Sequence, residues 1–512
     1  MNGWTEGYVS EIDYTFGYYG ELNPLRIAVP FLNVGLAPPD IATACEIGFG
    51  QGVSVNIHAA ASNILWYGTD FNPAHAAFAQ SLAEASGSGA QLFDQSFAEF
   101  CARPDLPEFD FIAVHGIWSW VSPQNQHVIV DFIRRKLKVG GVLYISYNTQ
   151  PGHAGMLPFR HLFTRHAEIM AAPGHGIVAR IDGALDFAEK LLALNPGFTV
   201  ANPAIAERLQ TIKAHARNYL AHEYFNRDWS AMLFAEMADS LAPAKLTYAC
   251  SAHYLDHIDA LNLTADQHRF LGEIPDPMFR QSVRDFMVNQ QFRRDYWVKG
   301  VRRLSPLEQG EALRRLKVIL VTSPRSAIAF TVPGALGQRE LTAGVYNPIL
   351  DVLGDYQVKT IGELEQALSG TEMRLNGIYE AVVVLAGKGD LALVQDDDAQ
   401  VAARVHTERI NRRIFDKARS GGDLSILASP VTGGGVMVSR FQQLFLLARV
   451  HGRESADELA QFAWDSLAAQ NQRVIKDGKT LETPEENLAE LAREAREFID
   501  QRLPVLRALQ IC

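Results

Sequence analysis

A strand-like run, TACEIGFGQG (43 to 52), passes without a break into a helical run, VSVNIHAAAS (53 to 62), and this junction limits what the chain can fold into. Glycines alternate at Gly48, Gly50 and Gly52. Without Cβ atoms they let the backbone turn tightly and approach a ligand, and the helix that follows offers unpaired amides. A small charged or zwitterionic ligand is expected. Val53 stands where a dinucleotide fingerprint wants its third glycine or alanine, so the GxGxG spacing is not that of a pyrophosphate cradle. Glu46 precedes the loop, and the next apolar run ends in Asp70, 22 residues after Gly48, where a carboxylate accepts ribose hydroxyls. The pattern predicts a nucleoside. Asp70 can also serve as a turn residue before Asn72-Pro73, and the two roles are compatible. Glu46 alternatively caps backbone amides, although a buried acid is costly unless it meets a cation or donors.

Around this junction apolar runs alternate with helical stretches, as βαβ units require. Strands are predicted at 43 to 49, 64 to 71, 90 to 96, 109 to 117 and 140 to 148, with two more at 245 to 252 and 293 to 300. The stretch 155 to 240 is helical and too long for an ordinary connection, so it reads as an insertion over the sheet. It leaves and returns at the carboxyl ends of the strands, where open sheets bind ligands, and is expected to roof the site. Because every strand precedes residue 302, a chain ending there is expected to bind its ligand.

At 512 residues the chain has room for about three domains. Residues 1–300 form the first. Residues 301–400 read as a winged-helix-like α+β module and 401–512 as an all-helical region. In the module, Glu363, Glu365, Glu372 and Glu380 outnumber Arg374 and Lys388 between 361 and 388, which disfavours DNA reading and favours protein contact. Asp396, Asp397 and Asp398 read as a solvated loop. The net charge of −11 opposes general binding to phosphate backbones, so no nucleic-acid partner is expected. No run approaches the ~20 apolar residues of a membrane span, and the N-terminus has no cationic start or apolar core. The four scattered cysteines fit a reducing cytoplasm. The oligomeric state is not legible.

EIGFGQG, the acid in GTDFNP, the strand FDFIAVHGIWSWVSP and the late strand pair together resemble class I S-adenosylmethionine-dependent methyltransferases over roughly residues 10 to 300. YTFGYYGELNP, HGIWSWV, YLAHEYFN and FRRDYWVKG narrow the resemblance to bacterial methyltransferases with a regulatory domain, a group that includes protein-lysine methyltransferases of outer-membrane proteins. The resemblance implies a Rossmann-like seven-stranded sheet and S-adenosyl-L-methionine as cofactor. It assigns Glu46, Gly48 and Gly50 to the methionine part, Asp70 to the ribose, and Asp94, Ser96 and Phe97 to the adenine. His115 and Gly116 would lie beside the sulfonium, followed by Trp118 and Trp120, and Tyr18 and Tyr19 would fold over the cofactor. HGIW stands where the acidic-polar-polar-aromatic tetrad of some nucleic-acid amine methyltransferases would be, so bases are poor candidates as substrates.

Of Trp118 and Trp120, one is expected to face the pocket and the other to pack in the core. His115 is either a pocket residue or a satisfied strand-end histidine. On ARNYLAHEYFNRDW, residues His215, Tyr219, His222, Glu223 and Asn226 fall at i, i+4, i+7, i+8 and i+11, along one helical face. No metal is expected there, since the two histidines are seven apart and lack a third strong ligand. The face is either solvated or a wall of the substrate pocket, where Glu223 binds a cationic amine and Tyr219 or Tyr224 lies against the nitrogen. His115, Trp118, Tyr219, His222 and Glu223 are thus the candidate catalytic residues. The leading expectation is N-methylation of lysine in a protein or peptide. The alternatives are methylation of a metabolite or surface glycan, and a binding protein on a methyltransferase scaffold.

Overall fold

Five consecutive parallel strands, β1 (Thr43–Ile47), β2 (Leu65–Asp70), β3 (Gln91–Asp94), β4 (Phe109–Val114) and β5 (Leu137–Asn148), pair in the order β3-β2-β1-β4-β5 in the computed structural model, which describes residues 5, 7–9, 11, 12, 14–170 and 174–512. Their near-continuous apolar runs follow from burial on both faces. Leu143, Ile145 and Tyr147 point into one core layer with Trp118 and Phe132, and Val142 and Tyr144 into the other with Trp66 and Phe111. Strands β6 (Thr247–Ser251) and β7 (Phe292–Val298) complete the sheet, β7 lying antiparallel between β5 and β6. The observed strands lie within three residues of the sequence reading at either end.

The insertion leaves after β5 and forms helices Leu157–Ile169, Ile177–Ala193, Ala204–Ala214 and Arg217–Tyr224 around a core of its own, with Phe159, Phe163, Ile181, Leu185, Leu209 and Leu220. Its base is closed by a bridge between Thr149 and Met232. His215 falls outside the last helix. It ends the preceding one in an extended conformation, and Ala216 likewise. The five-residue face expected from His215 to Asn226 is therefore interrupted.

In the module, helix Pro306–Arg315 leads into a three-stranded antiparallel sheet, order 359–360, 317–320, 391–393, packed on helices Ile361–Ala367 and Leu375–Lys388. A single strand, Leu391–Leu393, follows the second helix in place of a two-stranded wing. Asp397 and Asp398 lie in the first turn of helix Asp397–Ala418, where acids complement the helix dipole, and Lys317 pairs with Asp396 and Asp397. They do not form the loop expected. The helical C-terminal region carries two short hairpins, of which Ile426–Ser429 with Gly434–Met437 contains the glycine-rich break.

These parts share cores. Helix Val53–Ala61 is buried along its whole length. Its Val53, Ile57, Ala60 and Ala61 join the C-terminal core with Ile410, Ile414 and Leu427, while Val55 and Ala59 face the sheet. The Gln395 amide donates to the Ala61 carbonyl at 2.8 Å, satisfying the end of that helix. Val29, Leu32 and Tyr254 join the core of the middle module. Among the described residues no helix is long and apolar enough to cross a membrane.

Removing the chain beyond residue 302 exposes Val53, Ile57, Val29 and Leu32, each worth ~1.5–3 kcal/mol when fully buried, against a total stability of only ~5–15 kcal/mol. Such a truncation, expected from the strand positions to remain competent, should fail to give a soluble, cooperatively melting protein. Size exclusion and calorimetry of the fragment check this, and a monodisperse fragment with a sharp melting transition would contradict it.

Candidate active site

The carboxyl ends of β1, β2 and β4 open on one pocket, walled by Glu46, Gly48 to Gln51, Asp70, Phe71, Ser96, Phe97, His115 to Ile117 and Trp120. Gly48, Gly50 and Gly52 all have positive φ. A Cβ on Gly52 would stand 2.4 Å from the Ala79 Cβ, so only glycine lets the loop turn into helix Val53–Ala61 here. Asp70 holds that turn: one carboxylate oxygen accepts the Gly50 N–H at 2.9 Å, and the other accepts the Asn72 N–H at 3.0 Å beside His75 Nδ1 at 3.3 Å.

Glu46 is almost wholly buried, and its Oε2 has no hydrogen-bond partner. Burial, with the Asp70 charge adding to it, pushes its carboxyl up to about 8. An orphaned buried acid beside left-handed glycines fits a ligand carrying an ammonium group. His115 is pushed the other way. Burial and the Arg294 charge, opposed by Glu21, lower it to about 4, so the ring is neutral and adds no positive charge to a site for a cation. Its Nδ1 lies 2.9 Å from the Tyr144 hydroxyl and 3.3 Å from Ser146 Oγ, and Tyr19 lies against it with ring centroids 4.0 Å apart.

The N-terminal segment closes the pocket. Tyr8, Tyr14 and Tyr19 line it, with the Tyr19 N–H donating to Ser54 Oγ at 2.9 Å. Helix Arg217–Tyr224 and the residues after it hold this segment from behind. The Val9 N–H donates to Asn226 Oδ1 at 2.8 Å, His222 Nε2 donates to the Ile12 carbonyl at 3.0 Å, and the Arg227 N–H donates to the Gly7 carbonyl at 3.1 Å. His222 packs between the rings of Tyr8 and Tyr14. The lining that the insertion segment itself supplies is Asp228, so the pocket is roofed mainly by the N-terminal segment and only indirectly by the insertion.

Among the residues singled out from sequence, Tyr19, Glu46, Gly48, Gly50, Asp70, Ser96, Phe97 and His115 meet at this pocket. Trp118 does not: its ring is fully buried, with Nε1 directed at the Met232 sulfur at 3.3 Å. Gly116 takes a positive φ and the chain enters a 3-10 turn, which turns Trp120 to the pocket. Asp94 is exposed outside the lining. Tyr18 points away, its hydroxyl accepting the Gly435 N–H at 2.6 Å and lying 3.1 Å from His58 Nε2. Tyr219 is half-buried against His215, and neither it nor His222 or Glu223 lines the pocket directly. Glu223 lies just behind the wall: its charge reaches Tyr8, Tyr14 and Tyr19, and Trp120 Nε1 donates to its backbone carbonyl at 3.4 Å. Tyr8, Tyr14 and Phe71 were missed, and the only signal for the tyrosines was the density of aromatic residues near the N-terminus.

A family model described as "Predicted methyltransferase regulatory domain" matches residues 216–299. In the structure this stretch is the last helix of the insertion together with the chain that supplies β6 and β7, so it completes the sheet. The chain is 40% identical to the uncharacterized protein sll1526 of Synechocystis sp. over 99% of both chains. It is 28% identical to the uncharacterized protein RP028 of Rickettsia prowazekii, over 37% of this chain and 76% of that one. Among solved structures, PKMT2 from Rickettsia typhi in complex with AdoHcy superposes with a TM-score of 0.68 at 15% identity, covering 97% of this chain and 99% of that one. The fold is that of a class I methyltransferase with its appended domains.

Two outcomes test the ligand assignments. Asp70→Ala removes an acceptor whose charge-assisted hydrogen bonds are worth ~1.5–3 kcal/mol each, so S-adenosylhomocysteine should bind at least ~10-fold more weakly, measured by calorimetry. Glu46 is protonated below about 8 in the free protein and ionised when it meets an ammonium group. Binding should therefore release a proton and tighten as pH rises from 6 toward 8. Titrations in buffers of different ionisation enthalpy read that proton, and Glu46→Gln should abolish both effects.

Proposed function

The chain belongs to the family of the Synechocystis protein that it matches from end to end, carries the methyltransferase regulatory domain, and on that premise we propose that it is an S-adenosylmethionine-dependent methyltransferase acting on lysine side chains of a protein. The observation that carries the acceptor is the aromatic wall of Tyr8, Tyr14, Tyr19 and Trp120 with Glu223 half-buried behind it. Lysine presents a four-carbon stem that such rings cover and an amine that their faces attract. PKMT2, solved with AdoHcy, supports the donor.

S-adenosylmethionine, when bound, supplies an electrophilic methyl group. Glu46, the glycine turn and Asp70 hold the cofactor, and the neutral His115 ring with Tyr19 on it forms a fixed wall. Acceleration comes chiefly from orientation, since no enzyme nucleophile is required. The acceptor amine must be neutral, and a free lysine with pKa ~10.4 is not. Burial among the tyrosines disfavours the ammonium. Burial also lifts Glu223 to about 7, against the pull of Arg160, so at neutral pH, from behind the tyrosine wall, it is poised between attracting the cation and taking its proton through a bridging water.

Glu223→Gln should lower kcat by roughly 10–100-fold, within the range of a lost acid–base group, with S-adenosylhomocysteine affinity nearly unchanged. Because the carboxylate is the active form, wild-type turnover should rise with pH through about 7, and the variant should lose that limb. Incubating the protein and a lysate with labelled cofactor, then mapping the label by mass spectrometry, tests the acceptor. Methyl-lysine in proteins is the expected result. Label confined to small molecules would replace this reading with the metabolite one, and binding without transfer would favour the scaffold reading.

A further inference from the structure

A second cavity, of about 570 Å³, lies where the N-terminal segment, the middle module and the C-terminal hairpin meet, and methyl transfer makes no use of it. Its walls carry Arg26 and Arg502 and no aspartate or glutamate. The Arg26 guanidinium lies over the Tyr254 ring, 4.2 Å from the centroid, and its Nε is buried without a hydrogen-bond partner. Glu21, whose charge is felt at Arg26, is taken by Arg294 at 2.5 Å. Arg502 donates to the carbonyls of Val321 at 2.7 Å and Met437 at 2.8 Å, contacts that orient its charge without neutralising it. Ser439, also in the wall, caps the eleven-residue helix Arg440–Val450, so the positive end of that helix faces the same space. Asn23, Thr322 and Gln442 add uncharged polar groups.

Two guanidiniums and a helix N-terminus around one cavity repel one another, and charges partly withdrawn from water are ordinarily paired. Among the described residues no carboxylate forms an ion pair with either guanidinium. We propose that this cavity binds a small oxyanion, a phosphate or carboxylate group held between Arg26 and Arg502. Arginine suits both through its fork of donors. The site is built from three distant segments, so an occupant ties the N-terminal segment to the C-terminal half. Tyr18 lies in its wall while its neighbour Tyr19 lies tilted against His115, which places the occupant one residue away from the wall of the other pocket. Binding itself does not rest on the methyltransferase reading.

Calorimetric titration of the full chain with inorganic phosphate, and separately with citrate, in chloride buffer tests the proposal. At least one should bind saturably with Kd near ~1 mM or tighter and raise the melting temperature in step with its concentration. A stronger response to phosphate marks a phosphate-bearing occupant, and to citrate a carboxylate-bearing one. Arg26→Gln should bind at least ~10-fold more weakly. Absence of heat and of melting shift at ~10 mM of both anions, or undiminished binding by a folded Arg26→Gln, overturns the site. Should that variant not fold, wild-type crystals soaked in tungstate decide: anomalous density between Arg26 and Arg502 sustains the proposal, and its absence there overturns it.

Discussion

Helix Val53–Ala61 has no free side. The sheet covers one flank and the C-terminal core the other, and its last carbonyl is satisfied by Gln395. Its first residue follows the glycine turn, so whatever fixes the helix fixes the turn. Asp70 then locks that turn through the Gly50 N–H. The position of the cofactor loop thus depends on residues more than 300 positions away in sequence. The C-terminal half is part of the framework of the site, whatever else it does.

The site concentrates groups that burial has moved from their ordinary protonation. Glu46 and Glu223 are raised and His115 is lowered, each with burial as the first cause. Keeping Glu46 and His115 neutral, and Glu223 only partly ionised, in the free protein lessens the cost of isolated buried ions. It also leaves two acids that a cationic ligand can ionise, and a ring that will not repel one. Such tuning is common where a site must accept charge that it cannot hold alone.

Strands β1 to β5 were legible because two-sided burial writes continuous apolar runs, and the Glu46, glycine and Asp70 positions because βαβ geometry fixes their spacing. Trp118 reads from sequence as the pocket tryptophan, but after Gly116, where the backbone takes a left-handed conformation, the chain leaves the strand for a 3-10 turn that buries Trp118 and brings Trp120 to the pocket. His215 and Ala216 break the helix without glycine or proline, so periodicity carried through them. Tyr8 and Tyr14 occupy a segment of no regular structure, which leaves no period to read. The helix VSVNIHAAA did carry a sign of its enclosure in being apolar on every side. That sign does not reveal which distant segment supplies the cover.

The same topology sets a timetable for synthesis. Strand β5 is completed at Asn148, yet its antiparallel neighbour β7 begins about 140 residues later. At ~5–20 residues per second the ribosome leaves that edge without its native partner for roughly 7–30 s. An unpaired, apolar strand edge is a template for aggregation. Through much of that interval the emerging chain is the insertion, which has a core of its own and can condense while the sheet waits. The helical insert is therefore also a spacer whose early folding shortens the exposed, unstructured length of the nascent chain before the last strands arrive.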